Sequence, residues 1–503
     1  MLIPALLGLT LALYTGLRLL FFLWNSSLFQ GAPVGEVLYA FVLGARFDLF
    51  VAVFLAVPAI VVRTLGWTLK KDWRTPTTVV FLLCQVPFVI LNFFDIEFFN
   101  FMGRRFMVST LAIATEIEGK FWSTVLSYKY LFLLALVGLL FFILNALAMA
   151  HFRRGTLDGR PRWVQAAYGF ILLILLGLGA RGGWQRKPLN LAHAQVFTNS
   201  ALSNLAMNSS FSLIKTFNRK PLERENYMSQ AEMLSLMNGY GANHCPTGLP
   251  AFSKPQNVVM VVLESFSLEH MGKIHGDKGF TPFLDELAEK SLFFPNAFAN
   301  GRRSIEGIGA LLGGIPALMN EPFISSPFTT NTFYGLGYLL GEEEYSSTFY
   351  HGGQNGTMFF DQFTRKAGIR RYYGLNEYPE PKKDFDGTWG VWDEPFMLNA
   401  VKDMNEQIPP FDATIFTLTS HNPYEVPPEY KGKFPAGHER IHEVVGYTDY
   451  ALRQFFAEVE KQPWYKDTLF IVIADHTYSA ATFRPRYKND LGLYRIPLLF
   501  FHP

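Results

Sequence analysis

Apolar and polar positions divide this chain into two halves with different patterns. Before residue 185, apolar residues form five long, nearly unbroken segments, whereas after residue 257 they form short runs separated by polar, helix-like stretches. A helix needs about 20 apolar residues to cross a bilayer. Short apolar runs that alternate with helical patterns are typical of a mostly parallel sheet with helices on both faces. The pattern therefore predicts a helical membrane domain followed by an α/β domain.

The apolar segments of the first half predict five membrane-spanning helices over residues 1–184. The third and fifth segments are slightly short, so we expect those helices to extend into their flanks. The first lacks a basic region and a clear cleavage site, which favours a retained helix over a signal peptide. The segments run approximately over Leu2–Trp24, Val37–Val62, Val79–Phe94, Tyr130–Phe152 and Trp163–Gly179.

Basic residues in the loops predict the orientation of these helices. The loop after the first segment, Asn25–Glu36, has no lysine or arginine, whereas the loops after the second and fourth carry four each. Because basic loops stay on the cytoplasmic side, everything after about residue 185 is expected outside the cytoplasm. The basic residues are Arg63, Lys70, Lys71, Arg74, Arg153, Arg154, Arg160 and Arg162.

Two charges, Arg46 and Asp48, interrupt the second segment. Charges inside a membrane helix usually face protein, water or a head group. One interpretation is a contact with a lipid head group or with the soluble domain, and the other is a helix that begins later, with both residues at the interface. Residues 185–250 are predicted to form a linker, in which Leu202–Phe217 has helical spacing and is interpreted as a linker helix or as a helix along the membrane surface.

Residues 251–503 carry the pattern of the α/β domain. Predicted strands are Asn257–Leu263, Ser347–His351, Ala413–Thr419, Thr468–Ala474 and Ile496–Phe501, and predicted helices are Pro282–Lys290, Ile305–Leu312, Asp361–Ala367, Glu394–Asn405 and His442–Lys461. Composition agrees with a membrane part and a soluble part, since 50% of the 503 residues are hydrophobic. A net charge of +2 gives no indication of a nucleic-acid partner. The two cysteines, Cys84 and Cys245, form no zinc-binding pattern and are not expected to pair.

Ligand-type side chains follow two of the predicted strands. Glu264 follows the first, and the pair Asp475 and His476 follows IVIA in the fourth. Taken alone, Glu264 is typical of an acid at a helix N-terminus, and an Asp-His pair of a turn or N-cap. Since ligands bind at the carboxyl ends of strands in such sheets, two such strand ends favour a metal site that combines carboxylate oxygen with imidazole.

A serine and two histidines complete the candidate chemistry. Ser304 opens a small-residue helix after Gly-Arg-Arg, where it is either a helix N-cap or a nucleophile whose pKa a metal would lower. Arg303, beside it, is assigned to substrate binding. His421 follows a predicted strand and His351 ends one, and each is either a phosphate contact or general acid, or a loop histidine bonded to the backbone.

These pieces in this order resemble the sulfatase-fold domain of the lipoteichoic acid synthase family, within the alkaline phosphatase superfamily. The resemblance implies that Mn²⁺, or another divalent cation such as Mg²⁺ or Zn²⁺, is held by Glu264, Ser304, Asp475 and His476. The family's substrate-phosphate histidine resembles His421 in SHNPY. The segments FYHGG around His351 and WGVWDE around Asp393 resemble further family landmarks.

The resemblance also implies a reaction. A phospholipid head group, phosphoglycerol from phosphatidylglycerol, would pass through a covalent phospho-Ser304 intermediate to an envelope glycan or lipid acceptor, with release of diacylglycerol. The protein would be a multi-pass protein of the bacterial inner membrane, with its catalytic domain on the periplasmic or extracellular side. Family members usually continue beyond the strand at which this chain stops, which leaves a truncated C-terminus as an open alternative.

The chain departs from the family in the nucleophile, which is usually threonine, and in the tryptophan and arginine that contact glycerol phosphate, which have no clean counterpart in NGTMFFDQF. Two alternatives therefore remain. One is a phosphoethanolamine transferase acting on lipid A or a glycan, although those enzymes are typically disulfide-rich. The other is a catalytically silent, lipid-binding regulator of the envelope. Formylglycine sulfatase activity is disfavoured, because Ser304 lacks the C/S-x-P-x-R context.

Overall fold

The computed structural model describes residues 2–69, 71–108, 129–152, 162–185, 187–218, 226–238, 257–478 and 483–503. Its chain divides into two compact units, which are described separately. The membrane unit comprises Met1–Pro221 with Ser325–Thr332, and the α/β unit comprises Leu222–Ile324 with Phe333–Pro503. Several residues used in the sequence argument lie outside the described residues, namely Lys70, Arg153, Arg154, Arg160 and Cys245.

Long apolar helices form the membrane unit, as predicted, but fewer than the predicted five qualify as membrane-spanning among the described residues. Three of the helices in the described part of the chain are long and apolar enough to cross a membrane, those that contain Leu2–Trp24, Val34–Gly66 and Arg74–Asn100. The third and fifth helices extend beyond their apolar segments, as expected. The five helices are α1 (Leu2–Trp24), α2 (Val34–Thr68), α3 (Arg74–Met102), α4 (Lys129–Phe152) and α5 (Arg162–Arg181).

Two short helices, α6 (Ser200–Ala206) and α7 (Ser209–Thr216), occupy the stretch predicted as one linker helix. These two helices do not form a surface helix. Their residues Leu202, Leu205 and Phe211 are completely buried in a core cluster that also contains residues of α1, α2 and α3. Asn199 and Asn208 cap the two helices through their side-chain oxygens, which satisfies backbone N–H groups at each start. These helices are therefore an integral part of the membrane unit.

Buried charges link α6 and α7 to the long helices. The Arg18 guanidinium lies 2.6 Å from Asp48 Oδ1 and donates to the carbonyl oxygen of Ala206 at 2.7 Å, and Asn208 Nδ2 donates to the same Asp48 oxygen at 2.7 Å. Since α2 begins at Val34, Asp48 lies well inside this helix. Its partners within the membrane unit are thus an arginine and an asparagine. Arg46 donates to Gln185 and to the backbone at Gly182.

We predict that Asp48→Ala destabilises the protein by about 3–5 kcal/mol, because it leaves the Arg18 charge buried without its partner. The measurement is the thermal unfolding midpoint in detergent micelles. Asp72→Ala is the matched control, because Asp72 is exposed and pairs with Arg74 at 2.6 Å. An exposed pair of this kind contributes about 0–1 kcal/mol. Equal effects of the two replacements would contradict the interpretation.

A seven-stranded sheet organises the α/β unit, in the order β2-β9-β7-β1-β6-β4-β5. The strands β7, β1, β6, β4 and β5 are parallel, and β9 and β2 pair antiparallel at one edge. The predicted, mostly parallel sheet is confirmed. The strands are β1 (Asn257–Leu263), β2 (Leu292–Phe293), β3 (Ala297–Phe298), β4 (Ser346–His351), β5 (Arg371–Tyr373), β6 (Phe411–Phe416), β7 (Thr468–Ala474), β8 (Arg495–Ile496) and β9 (Leu498–Phe501).

Helices cover both faces of this sheet, which explains why β1 is apolar at successive positions. Val261 and Val262 point to opposite faces and are both fully buried. The predicted run Ile496–Phe501 is divided at Pro497 into β8, which pairs with β3, and β9. The helices of the α/β unit are α8 (Gln230–Asn238), in which no residue is buried, α9 (Pro282–Glu289), α10 (Ser304–Gly313), α11 (Leu336–Glu342), α12 (Phe360–Lys366), α13 (Pro381–Asp384), α14 (Asp393–Met404) and α15 (Ile441–Val459).

Candidate active site

The register between β1 and β7 brings two carboxylates side by side. Leu263 lies opposite Ala474, so the next residues, Glu264 and Asp475, leave the sheet at the same level. Asp475 Oδ1 accepts hydrogen bonds from the backbone N–H of Ser265 at 3.0 Å and of His476 at 2.7 Å. These bonds fix the Asp475 carboxylate at the carboxyl ends of both strands.

Ser265 makes the turn that follows β1. Its φ of 57° lies in the left-handed region, which side chains rarely adopt and which is a mark of local strain at functional sites. The Ser265 hydroxyl donates to Glu264 Oε1 at 2.6 Å. The strained turn thus holds the Glu264 carboxylate from one side.

Ser304 meets this carboxylate from the other side. It is the first residue of α10, the N-cap position being Arg303, and its side chain is buried. Ser304 Oγ donates to Glu264 Oε2 at 2.9 Å and lies 3.3 Å from His476 Nε2. A hydroxyl between a carboxylate and an imidazole, at the N-terminus of a helix, has the surroundings of an activated nucleophile.

The donor set formed by Glu264, Asp475 and His476 fits a divalent cation. One ligand atom from each of these buried residues lies within 4.8 Å of the other two. His476 Nε2 is 3.6 Å from Glu264 Oε1 and 3.4 Å from Asp475 Oδ2, and the latter oxygen is buried without a hydrogen-bond partner. Two carboxylates and an imidazole suit Mn²⁺, Mg²⁺ or Zn²⁺, and a cation would satisfy the unpaired oxygen.

The pKa values of Asp475 and His476 reflect the burial of these side chains and the charges beside them. Burial, and then the charge of Glu264, raise the pKa of Asp475 to about 8. Burial lowers the pKa of His476, but the carboxylates of Asp475 and Glu264 outweigh it and leave this pKa above the ordinary value. Without a cation, the site therefore retains protons that an exposed aspartate would release.

Side chains of the turn after β6 form hydrogen bonds with the backbone of Glu264. Thr417 Oγ1 accepts from the Glu264 N–H at 2.9 Å, and Ser420 Oγ donates to the Glu264 carbonyl oxygen at 2.5 Å. Because β6 neighbours β1 on the side opposite β7, the candidate ligand is held from both adjacent strands.

Asp393, at the start of α14, anchors this turn in its own right. One carboxylate oxygen accepts from the N–H groups of Leu418 at 2.8 Å and Thr419 at 3.1 Å, and the other accepts from Thr448 Oγ1 at 2.7 Å. Asp393 is buried, which raises its pKa. Sequence reasoning noted the WGVWDE segment without giving Asp393 a role; the structure makes it a support of the turn that holds Glu264.

His421 lies on the same turn, directly after Ser420, and remains partly exposed. Its ring packs against Trp389, with 4.0 Å between the ring centroids, and Trp389 Nε1 donates to the Asn422 carbonyl oxygen at 2.6 Å. Sequence reasoning missed Trp389, Thr417 and Ser420. The run of hydroxyl residues TLTS after β6, and the tryptophan of WGVWDE, were the available signals.

Two further candidate residues have different surroundings. His351 is buried: it lies 2.8 Å from the Tyr372 hydroxyl and stacks on Phe416. Burial lowers its pKa to about 3, so it is neutral. Arg303 is exposed, and its guanidinium pairs with Glu306 on the next turn of α10. The structure thus brings together Glu264, Ser304, Asp475 and His476. His351 lies instead at the end of β4, where it packs against aromatic side chains.

The sequence is similar to those of several known proteins. Residues 256–503 match the model of the sulfatase family. Over 284 residues, 53% of this chain, the sequence is 25% identical to lipoteichoic acid synthase 1 of Bacillus subtilis, and over 236 residues, 44% of this chain, it is 23% identical to the lipoteichoic acid synthase-like protein YvgJ of the same organism. These alignments span 43% and 37% of the two relatives, so the chain matches less than half of their length.

A solved structure is also similar. It is a protein of the alkaline phosphatase superfamily from Vibrio parahaemolyticus, 29% identical to this sequence, and the match covers 55% of this chain and 69% of that protein with a TM-score of 0.46.

We predict that Asp393→Ala destabilises the α/β unit by about 2–4 kcal/mol, because two backbone N–H groups and the Thr448 hydroxyl lose their buried acceptor. The unfolding midpoint of the full chain measures this. Asp490→Ala is the control, since Asp490 is exposed and its replacement should cost less than about 0.5 kcal/mol. If both variants unfold together with the wild type, Asp393 does not anchor the turn.

We predict that Asp475→Asn stabilises the metal-free protein near pH 8. The folded-state pKa of about 8 exceeds the ordinary aspartate value, so the folded state binds more protons between those values and stability falls as pH rises through that window. Asparagine does not titrate, so this decline should be weaker. In differential scanning calorimetry, each kcal/mol gained should raise the midpoint by roughly 2–4 °C.

We predict that Mn²⁺ raises the midpoint of the wild type and that the same variant loses this rise, because a cation that binds only the folded state stabilises it, by about 2.7 kcal/mol at a hundred times its Kd. Asp490→Asn serves as the control for both effects. An unchanged response to Mn²⁺ in Asp475→Asn would show that the cation binds elsewhere.

Proposed function

We propose that this lipoteichoic acid synthase-like protein of the sulfatase fold transfers phosphoglycerol from phosphatidylglycerol to an envelope glycan or lipid acceptor through a covalent phospho-Ser304 intermediate. One observation carries the proposal: the Ser304 hydroxyl lies between Glu264 Oε2, at 2.9 Å, and His476 Nε2, at 3.3 Å. The relatives named above support transfer chemistry of this kind, and the departure from the family's glycerol-phosphate contacts makes the head group the part to test first.

Glu264, Ser304, Asp475 and His476 would hold the divalent cation, for which we favour Mn²⁺. When bound, a divalent cation supplies Lewis-acid chemistry, which lowers the pKa of a nearby hydroxyl and offsets the negative charge of a phosphodiester.

The chain's own residues account for the rest of the first step. Ser304 Oγ attacks phosphorus, its proton passes to the Glu264 carboxylate, and the bond from phosphorus to the diacylglycerol oxygen breaks. The N-terminal N–H groups of α10 face the anionic phosphoryl group that forms on its first residue. His421 is proposed to contact the phosphate or to protonate the departing diacylglycerol oxygen. Arg303, exposed beside Ser304, is proposed as a second phosphate contact.

The second step returns the enzyme to its starting state. A hydroxyl oxygen of the acceptor bonds to phosphorus and gives its proton to His421, the bond from Ser304 Oγ to phosphorus breaks, and Ser304 Oγ takes back the proton held by Glu264. No nucleotide is consumed, because the lipid's own phosphodiester supplies the transferred group. This suits a domain held at the outer face of a bacterial inner membrane, which is the location that we propose.

We predict that Ser304→Ala lowers diacylglycerol release from phosphatidylglycerol by about a thousandfold or more, because removal of a covalent nucleophile leaves only binding and electrostatic terms. Release is measured by thin-layer chromatography of labelled lipid with purified full-length protein and Mn²⁺. Ser291→Ala is the control: Ser291 lies just beyond the end of α9, and its hydroxyl donates to the Leu287 carbonyl oxygen of that helix.

Two outcomes would contradict the proposal. Unchanged turnover by Ser304→Ala would remove the nucleophile assignment. Release of diacylglycerol from phosphatidylethanolamine, with none from phosphatidylglycerol, would replace phosphoglycerol by phosphoethanolamine as the transferred group while leaving the mechanism intact.

A further inference from the structure

Arg302 lies two residues before Ser304, on the bend that leads into α10. Its backbone N–H donates to Glu306 Oε2 at 2.9 Å, so the main chain of this bend is held without use of the Arg302 side chain. The other oxygen of Glu306 pairs with the guanidinium of Arg303, whose side chain is 56% exposed. Within the part of the chain that the structure describes, Arg302 forms no ion pair with a carboxylate.

The Arg302 side chain packs against Tyr494. The guanidinium carbon lies 5.6 Å from the centroid of the tyrosine ring, and Nε is buried without a hydrogen-bond partner among the described residues. Tyr494 adjoins the candidate active site, because the hydroxyl of Thr477, the residue after His476, donates to the carbonyl oxygen of Leu493. The guanidinium is therefore held against the segment that borders His476.

The charge of Arg302 reaches the candidate cation site. Burial lowers the pKa of His476, the carboxylates of Asp475 and Glu264 raise it above the ordinary value, and the positive charge of Arg302 opposes that rise. A positive charge beside a site that would hold a cation is unfavourable unless an anion lies between the two. The arrangement of Arg302 and the cation ligands thus fits a site that also takes an anion.

The charge balance of the proposed reaction requires a further positive group. The carboxylates of Glu264 and Asp475 together offset the charge of a bound divalent cation. Phosphorylation of Ser304 adds a charge of about −1.5 to −2 at pH 7, whereas the N-terminus of α10 offers about half a positive charge. A guanidinium supplies a full charge, and its planar set of N–H groups matches the oxygens of a phosphoryl group.

We propose that Arg302 binds the phosphoryl group carried by Ser304, with its guanidinium donating hydrogen bonds to the non-bridging oxygens. Arg303, which is exposed and paired with Glu306, then remains an outer contact for the incoming phosphodiester. The inference rests on the proposed function for the identity of the anion as a phosphate ester. The binding itself is measured without lipid.

The test is isothermal titration calorimetry of methyl phosphate with the full-length protein saturated with Mn²⁺. We expect binding to the wild type, and a Kd raised about tenfold in Arg302→Gln, equivalent to about 1.4 kcal/mol. Arg302→Lys should show a smaller rise, because lysine keeps the charge but not the planar fork. Both variants keep the backbone N–H that bonds to Glu306.

A second measurement separates loss of the phosphate contact from loss of structure. Removal of a positive charge near His476 should leave the affinity for Mn²⁺ unchanged or raise it, so the rise in unfolding midpoint that Mn²⁺ gives should persist in Arg302→Gln. Arg495→Gln is the matched control. Arg495 is also partly buried, and its guanidinium carbon lies 5.4 Å from the centroid of the Phe298 ring, and its replacement should leave the Kd for methyl phosphate unchanged.

Three outcomes would overturn the inference: no binding of methyl phosphate to the wild type, an unchanged Kd in Arg302→Gln, or an equal rise in Arg495→Gln. Its failure is distinguishable from failure of the proposed function. Binding of methyl phosphate that depends on Arg302, without diacylglycerol release by the wild type, would remove phosphatidylglycerol transfer and keep the phosphate contact. Normal diacylglycerol release and an unchanged Kd in Arg302→Gln would do the reverse.

Discussion

The parallel register of β1 against β7 is the constraint on which the site depends. With Leu263 opposite Ala474, the two strands end at the same level and deliver Glu264 and Asp475 to one buried position. Burial raises the pKa of Asp475, and the like charge of Glu264 beside it raises this pKa further. Burial of apolar side chains in the sheet stabilises the fold and offsets the unfavourable pairing of the Glu264 and Asp475 carboxylates. A bound cation would remove the repulsion between them.

The surrounding elements limit where these carboxylates can move. The turn after β6 forms hydrogen bonds with the backbone N–H and carbonyl of Glu264. Asp393 anchors that turn, and Thr448 donates a hydrogen bond to Asp393. Three adjacent strands, β7, β1 and β6, therefore converge on one residue. The same turn continues into His421, so Asp393 helps to position both Glu264 and His421.

Local sequence patterns predicted the strands of the site but not their supports. Asn257–Leu263 and Thr468–Ala474 have the predicted bounds, because a strand buried on both faces leaves an unbroken apolar run. The acids after them were visible for the same reason. Asp393 could not be assigned, because its partners Leu418 and Thr448 are distant in sequence. The burial of α6 and α7 was missed, since their polar residues bond to charges on other helices.

In the proposed function, Ser304 takes the place of the threonine that is usual in the family that the sequence resembles, and the surrounding side chains can orient its hydroxyl. The β-branched side chain of threonine restricts its own χ1 rotation, whereas serine must be oriented from outside. Here Glu264 Oε2 accepts its hydrogen and His476 Nε2 lies 3.3 Å from the same oxygen. The hydroxyl is thus oriented by two of the candidate cation ligands, so these ligands and the proposed nucleophile contact one another directly.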